Sequence, residues 1–442
     1  MFSIRPADRE ILRLAVPALG ALVAEPLFLL ADSAMVGHLG STPLAALGIA
    51  GAILQTIVGL TVFLAYGTTP AVARRLGAGD ERGALTAGVD GVWLAAGLGA
   101  LLALAGWASA PYLVVAFGAS ADVSRQASGY LTISMAGLPA MLLVYAASGL
   151  LRGLQDTRTP LVVAGVGFAT NIALNAVFIY GLGMGLDGSA LGTVVAQWFM
   201  VAAYLAIVAR HARRAGAHLV PGHAGILRSA TSGGWLFLRT ASLRAAMLLA
   251  VFVATGLGSA ELAAFQVTMT IFGTLAFALD ALAIAAQALV GRGLGAADHD
   301  HVRSVLRRCL LWGVGGGTVL GIALAALSPA IGYVFTGDSA VLGMLPVALA
   351  LVALGTPLSG YVFVLDGILI GAGDARYLAL TGILNLAAFL ALAAAVVAWS
   401  PRGAGGLAWL TAAFALGYLG ARAVTLGLRG TGARWMVVGA GR

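Results

Sequence analysis

Asp32 has the greatest potential for chemistry in this sequence, because it lies in a long and otherwise almost wholly apolar run that includes LFLLADSAMVGHLG at 27–40. An ionised aspartate at the centre of a bilayer costs about 2.5–3.5 kcal/mol. Protonation removes that charge, so a carboxyl group placed there can bind and release a proton. The alternatives are that Asp32 is solvated near the outer surface, or that it only holds neighbouring helices together.

Two amide side chains form a second polar pattern, in the stretch TNIALNAVF. Asn171 and Asn175 are four residues apart, which places them on the same face of a helix. Such a pair could orient a neighbouring carboxylate or coordinate a cation. Asparagines also hold membrane helices together without a further role, and the pattern alone does not separate these readings.

Helix one carries further candidates on the N-terminal side of Asp32. Pro17 and Pro26 fall inside the predicted helix, where a proline removes a backbone hydrogen bond and favours a kink. A kinked helix that carries a titratable group can couple protonation to a change of shape. Glu25 is either a second cation-binding acid or a local polar partner.

Several polar residues also interrupt apolar segments in the second half of the chain: Asp280, Asp366, Arg239, Arg244, Gln266 and Gln287. Charges of both signs in a membrane segment favour pairing. We expect Asp280 to form a salt bridge with Arg239 or Arg244, whereas the role of Asp366, whose counterpart in the first half of the chain is Ser148, stays open. The two aspartates and the two glutamines, together with Glu25 of helix one, are candidates for contact with a transported substrate.

The composition sets the broad class of the protein. The 442 residues are 60% hydrophobic and 10% charged, whereas soluble proteins carry about 25% charged residues. The chain therefore reads as an all-α membrane protein, and its 62 glycines suit close packing of membrane helices. About 20 apolar residues cross a bilayer, and twelve segments are long enough: 11–36, 45–68, 84–107, 127–150, 160–181, 189–210, 231–256, 263–287, 304–326, 342–367, 377–399 and 405–427.

The arginines predict how these segments are oriented. They concentrate in residues 74–82, 152–158, 210–228 and 292–308 and at both termini, which include Arg5 and Arg442, whereas the alternate loops hold only Arg125 and Arg402. The positive-inside rule places the arginine-rich set in the cytoplasm. We therefore expect a multi-pass protein of the cytoplasmic membrane with both termini inside, as an even number of helices requires. This topology accounts for the net charge of +8 without a nucleic-acid partner.

The chain repeats itself at an offset of 218 residues. LGSTPLAALGIA at 39 corresponds to LGSAELAAFQVT at 257, and GLLRGLQDTR at 149 corresponds to GILIGAGDAR at 367. Each copy has six helices, so both enter the membrane in the same direction, as parallel lobes related by a pseudo-twofold axis along the membrane normal. We predict an N-terminal lobe at 1–209, a cytoplasmic linker at 210–228 and a C-terminal lobe at 229–442. The expected substrate site is a cleft between the lobes, reached by alternating access.

Other classes of function lack their motifs. GAGD and GAAD are turn signals without the Gly-Lys-Ser/Thr of a phosphate loop, and the chain has no lysine, HExxH, CxxC or nucleophile elbow. We expect no enzyme activity and no cofactor. The energy for transport would come from an ion gradient.

The whole chain resembles the multidrug and toxic compound extrusion (MATE) family, and within it the DinF-like branch. The segments that carry the resemblance are ADSAMVGHLG, LRGLQDTRTP, NIALNAVFIYGLGMGLDGSALGTVVAQ and RGLGAAD. The resemblance implies export of organic cations or amphiphilic drugs in exchange for protons or sodium. It also implies that Asp32 is the centre of an ion-binding network whose partners are Tyr130, Asn171, Asn175 and Thr193. Pro17 matches the proline at which helix one bends in the family.

One position departs from the pattern of this branch. Relatives often carry an aspartate where this chain has Asn175, which leaves Asp32 as the one expected carboxylate of the network. A single acid favours proton exchange, although sodium could still bind Asp32, Asn171, Asn175 and Thr193. We expect a monomer that meets membrane lipids. A flippase for lipid-linked precursors is the alternative, but it calls for a strongly cationic cavity, and the intramembrane arginines are only Arg239, Arg244 and Arg422.

Overall fold

The computed structural model describes residues 6–439. Arg5 and Arg442, two of the arginines used to predict the orientation, lie outside this range. The first part of the chain forms eight α-helices: α1 Pro6–Gly37, α2 Ser41–Thr61, α3 Phe63–Gly77, α4 Glu81–Val115, α5 Ala121–Met135, α6 Leu138–Gly153, α7 Arg158–Asn175 and α8 Gly185–Arg214. The second part forms seven: α9 His223–Leu257, α10 Ser259–Gly295, α11 His299–Ile331, α12 Ser339–Gly371, α13 Ala375–Trp399, α14 Ala404–Ala412 and α15 Leu419–Thr431.

The predicted twelve-span, all-α membrane fold is confirmed. Within residues 6–439, 11 helical segments are long and apolar enough to cross a membrane, and a bent pair makes 12. That pair is α5 and α6, which meet at an angle of 46° within the segment predicted as a single span at 127–150. The bend coincides with Gly137 and with Pro139 in the first turn of α6, where the ring leaves no N–H for a continuing helix.

The described chain forms two compact units, each with six spans. The N-unit comprises residues 16–233, and the C-unit comprises residues 234–439 together with the first turns of α1, up to Ala15. The boundaries thus fall inside two continuous helices, α1 and α9. The lobe limits predicted from the sequence stay a prediction.

The 218-residue repeat is visible in the local structure of both units. Gly40 and Gly258 precede α2 and α10 with φ of 125° and 149°, values that favour glycine. Asp80 and Asp298 cap α4 and α11 by accepting a hydrogen bond from a backbone N–H in the first turn. These matched signals begin the corresponding helices at the corresponding residues.

Close helix packing also repeats, and it depends on glycine. A Cβ on Gly149 of α6 would lie 2.7 Å from the backbone oxygen of Ala65, and one on Gly367 of α12 would lie 2.5 Å from that of Ala283. Both contacts are too short for a side chain, so each glycine lets two helix backbones touch.

Candidate functional site

Asp32 is the centre of a buried polar network in the N-unit. The residue is only 4% exposed. Its Oδ1 accepts a hydrogen bond of 2.8 Å from Nδ2 of Asn175 and one of 2.6 Å from Oγ of Ser189. The carboxylate of α1 is thereby held by one donor from α7 and one from α8.

A second hydrogen bond joins α7 to α8 one helical turn away. Nδ2 of Asn171 donates to Oγ1 of Thr193 at 2.9 Å. Asn171 and Asn175 are four residues apart on α7, and Ser189 and Thr193 are four apart on α8, so the two helices present matching polar faces. These four side chains form a polar ladder, and Asp32 contacts its Asn175–Ser189 end.

Two amide oxygens of the network have no hydrogen-bond donor within the described residues. Oδ1 of Asn171 and Oδ1 of Asn175 are buried and accept no hydrogen bond from residues 6–439. Buried polar atoms usually have partners, and water or a cation would supply one here. Amide, hydroxyl and carboxylate oxygens are the ligands that hard cations prefer. The same carboxylate can instead take up a proton.

Local backbone structure positions Asn175 against α8. Asn175 is the last residue of α7, and the π-helical segment Ala176–Gly181 begins directly after it. Such segments are rare and often occur at functional sites. Gly192 of α8 faces the Asn175 amide so closely that a Cβ at this position would overlap its Oδ1. The amide therefore reaches Asp32 only because residue 192 is glycine.

The other residues predicted for this site are found near it. Tyr130 of α5 is 5% exposed and lies beside Asp32 and Ser189. Glu25 is half-buried and precedes Asp32 by seven residues, two turns of α1, so both acids share one helix face. The structure thus brings Asp32, Tyr130 and the residues of the ladder together, while their functional roles stay proposals.

Pro17 and Pro26 lie inside a helix that runs without interruption from Pro6 to Gly37. Pro17 is two residues beyond Ala15, at which the C-unit portion of α1 ends. The predicted conformational roles of both prolines stay predictions.

Ser189 was missed by the sequence reasoning, although it donates the shorter of the two hydrogen bonds to Asp32. The signal was the spacing of Ser189 and Thr193 in GSALGT, which matches that of the asparagines. A hydroxyl in an apolar helix is common, because it can bond to its own backbone, so the type of residue alone did not distinguish it.

The C-unit holds a different buried cluster, which shows the partners of Asp366. Its two oxygens form ion pairs with Arg239 and with Arg422, the second at 3.4 Å. The side chains of all three residues are at most 11% exposed. Two guanidinium groups satisfy the carboxylate, because a charge buried away from water needs a partner of opposite sign.

The remaining candidates in the C-unit differ in exposure. Gln287 is buried, Asp280 is half-buried and Gln266 is exposed. Gln287 also packs its backbone against Gly371, where a side chain would not fit. Their predicted contact with substrate stays a prediction.

Comparison with known proteins shows which family and which relatives this chain is similar to. The MatE family model matches residues 17–177 and 237–399. The chain is 30% identical over 402 residues to Protein DETOXIFICATION 45, chloroplastic, of Arabidopsis thaliana, covering 85% of this chain and 71% of that protein. It is 30% identical over 317 residues to DNA damage-inducible protein F of Escherichia coli, covering 70% and 68%.

Solved structures share the fold. A MOP superfamily transporter from Pyrococcus furiosus is 22% identical, with a TM-score of 0.83 and coverage of 96% of this chain and 95% of that chain. The bent form of the Vibrio cholerae MATE transporter VcmN is 22% identical, with a TM-score of 0.84 and coverage of 96% and 98%.

Proposed function

The chain belongs to the MatE family and is a multi-pass membrane transporter of the multidrug and toxic compound extrusion type, and from this premise we propose that it is a proton-coupled antiporter. Its substrates are organic cations or amphiphilic drugs, which it exports across the cytoplasmic membrane as a monomer with both termini inside. The observation that carries the proposal is Asp32, a single carboxylate held by Asn175 and Ser189 in the interior of the N-unit.

The network suits a group that alternates between two charge states. In the ionised state, the two hydrogen-bond donors stabilise the negative charge of Asp32, and this charge attracts a cationic substrate. A proton from outside neutralises the carboxylate and removes that attraction, so the substrate is released. Rearrangement of α1 near Pro17 would then reset the transporter. Alternating access exposes the site first to one side of the membrane and then to the other.

Exchange through one acid sets the driving force. If one proton enters for each monovalent cation that leaves, no net charge crosses the membrane. The membrane potential, which is worth about 2.3 kcal/mol per charge per 100 mV, then contributes nothing. The pH difference alone drives export, at about 1.4 kcal/mol per pH unit.

Proteoliposomes provide the test. We expect an imposed pH difference to drive movement of ethidium in vesicles that contain the wild-type protein, and a potential clamped with valinomycin to leave the rate unchanged. Asp32→Asn keeps the shape of the side chain and removes its titration, so it should reduce pH-driven exchange at least tenfold. Asp187→Asn is the matched control, because Asp187 is exposed on α8 two residues before Ser189. Normal exchange by Asp32→Asn would reject the proposal.

Sodium is the alternative coupling ion, because the free amide oxygens of Asn171 and Asn175 could bind it together with Asp32. A sodium gradient at equal pH on both sides distinguishes the two ions. Proton coupling predicts no ethidium movement under that gradient, whereas sodium coupling predicts movement that stops when choline replaces sodium. The flippase alternative is less favoured, since Asp366 already partners Arg239 and Arg422.

A further inference from the structure

A cavity of about 370 Å³ lies in the C-unit, apart from the network around Asp32. Its walls come from α11, from α12, from the end of α15 and from the chain that follows α15. Its lining includes two basic residues, Arg303 and Arg307, and three apolar ones, Leu306, Leu310 and Leu365. The cavity therefore offers both positive charge and apolar surface to a ligand.

The chain after α15 forms a defined wall of this cavity. Trp435 is fully buried, and its indole N–H donates to the backbone oxygen of Gly430 at 3.4 Å. The backbone N–H of Gly439 donates to the oxygen of Leu294 at 3.1 Å. These two attachments hold Ala433 and Met436, which line the cavity, in place.

The charges of Arg303 and Arg307 are little compensated by acidic residues within the part of the chain that the structure describes. Arg303 pairs with Asp300 only at 3.8 Å, with both side chains more than half exposed, and such pairs contribute little. Arg307 is exposed and has no ion pair among residues 6–439. The neighbouring Arg308 is different, because its Nε donates to the buried Asp8 at 2.7 Å.

We propose that this cavity binds the headgroup of an anionic phospholipid. Arg303 and Arg307 are four residues apart, so they face the same way and can hold one phosphate between them. The apolar residues of the lining would contact the start of an acyl chain, which a free phosphate lacks. Basic pockets between membrane helices on the cytoplasmic side recognise such headgroups, and the positive-inside rule places this end of α11 there.

Native mass spectrometry of the purified full-length protein in detergent tests the proposal. Phosphatidylglycerol, phosphatidylcholine and inorganic phosphate are titrated separately, and the lipid-bound fraction gives each Kd. We expect phosphatidylglycerol to bind at least tenfold more tightly than phosphatidylcholine, and inorganic phosphate not to saturate at millimolar concentration. The paired substitution Arg303→Gln with Arg307→Gln should weaken phosphatidylglycerol roughly 30-fold, since each arginine near an anionic headgroup is worth about fivefold.

Two further variants separate the cavity from simple surface charge. Arg213→Gln with Arg214→Gln removes two exposed arginines at the end of α8, outside the cavity, and should leave the affinity within twofold. Ala433→Trp fills the cavity and keeps both arginines, so it should weaken phosphatidylglycerol at least tenfold. Thermal melting of each variant checks that it is folded, and Ala433→Trp carries the test if the double arginine variant is not.

Three results would overturn the proposal. The first is phosphatidylglycerol bound equally well without Arg303 and Arg307, and the second is normal affinity in the Ala433→Trp variant. The third is inorganic phosphate bound as tightly as the lipid, which would make the site one for free phosphate. None of these results bears on export, because the readout is lipid affinity and not transport.

Discussion

Oγ of Ser189 lies 2.6 Å from Oδ1 of Asp32, although the two residues are 157 positions apart in the chain. Asn175 donates to the same oxygen. Hydrogen bonds to the ionised form of a carboxylate favour that form. The two donors therefore offset part of the cost of ionising Asp32 in an apolar environment, and loss of either donor would raise that cost.

Loss of the Ser189 hydroxyl should move the pH dependence of transport. Ser189→Ala removes a hydrogen bond that supports the ionised carboxylate, so Asp32 should hold its proton up to a higher pH. A hydrogen bond to a charged group is worth about 1.5–3 kcal/mol, which corresponds to a shift of roughly one pH unit or more in the transport profile. The measurement is ethidium exchange in proteoliposomes across a series of pH values.

The control for this prediction is Ser109→Ala. Within residues 6–439, Ser109 bonds only to the backbone of its own helix α4, at Ala105 and Gly106. Its loss should leave the profile in place. An unshifted profile for Ser189→Ala would mean that this hydroxyl does not influence the titration of Asp32.

A methyl group at residue 192 should disrupt the network. Gly192→Ala places a Cβ where Oδ1 of Asn175 now lies, so the amide must move away from Asp32. Overpacking of this kind costs about 1–3 kcal/mol. We expect a lower melting temperature and a loss of pH-driven exchange of at least fivefold.

Gly165→Ala on α7 is the matched substitution, because a Cβ there meets nothing within 4 Å. Alanine is favoured over glycine in a helix by roughly 0.5–1 kcal/mol, so this variant should melt at the same or a higher temperature and transport normally. Equal behaviour of the two variants would show that the contact between Gly192 and Asn175 is unimportant.

Removal of the Asp366 carboxylate should destabilise the C-unit strongly. Asp366→Asn leaves Arg239 and Arg422 buried without their counter-ion, and breaking a buried pair costs about 3–5 kcal/mol. Asp122→Asn breaks the exposed pair with Arg125, which is worth at most about 1 kcal/mol. Thermal unfolding in detergent should therefore separate the two variants clearly.

The double variant Asp366→Asn with Arg239→Gln extends this test. It leaves one buried guanidinium unbalanced in place of two, so it should unfold at a higher temperature than Asp366→Asn alone. The energies of the two changes are expected to be non-additive, because the residues contact each other. Additive effects would contradict a direct interaction.

The start of α1 should matter for the stability of the C-unit. Asp8 is 1% exposed, accepts hydrogen bonds from the Arg308 guanidinium and accepts another from the indole N–H of Trp312 at 2.9 Å. Asp8→Asn should lower the melting temperature, because it removes the negative charge that the Arg308 guanidinium contacts. Asp300→Asn is the control, because its pair with Arg303 is long and exposed. Equal melting temperatures for the two variants would argue against an anchoring role for Asp8.

Different parts of the structure were accessible to prediction for different reasons. The spans followed from runs of apolar residues, and the repeat followed from motifs at one offset, because both are local properties of the chain. The sequence did not predict the bend between α5 and α6. Pro139 at this bend has a counterpart at the repeat offset, Pro357, and that proline lies within the unbroken helix α12. A proline permits a bend, but packing determines whether one forms.

The sequence by itself determined the membrane fold, the duplication, and Asp32, Asn171 and Asn175 as candidates, because their types and spacing are unusual in apolar helices. Only the tertiary structure decided which donors reach Asp32, and that Asp366 is paired with Arg239 and Arg422. The physical reason is that helical periodicity assigns a residue to a face of its own helix, whereas hydrogen bonds and ion pairs between helices depend on which faces come together.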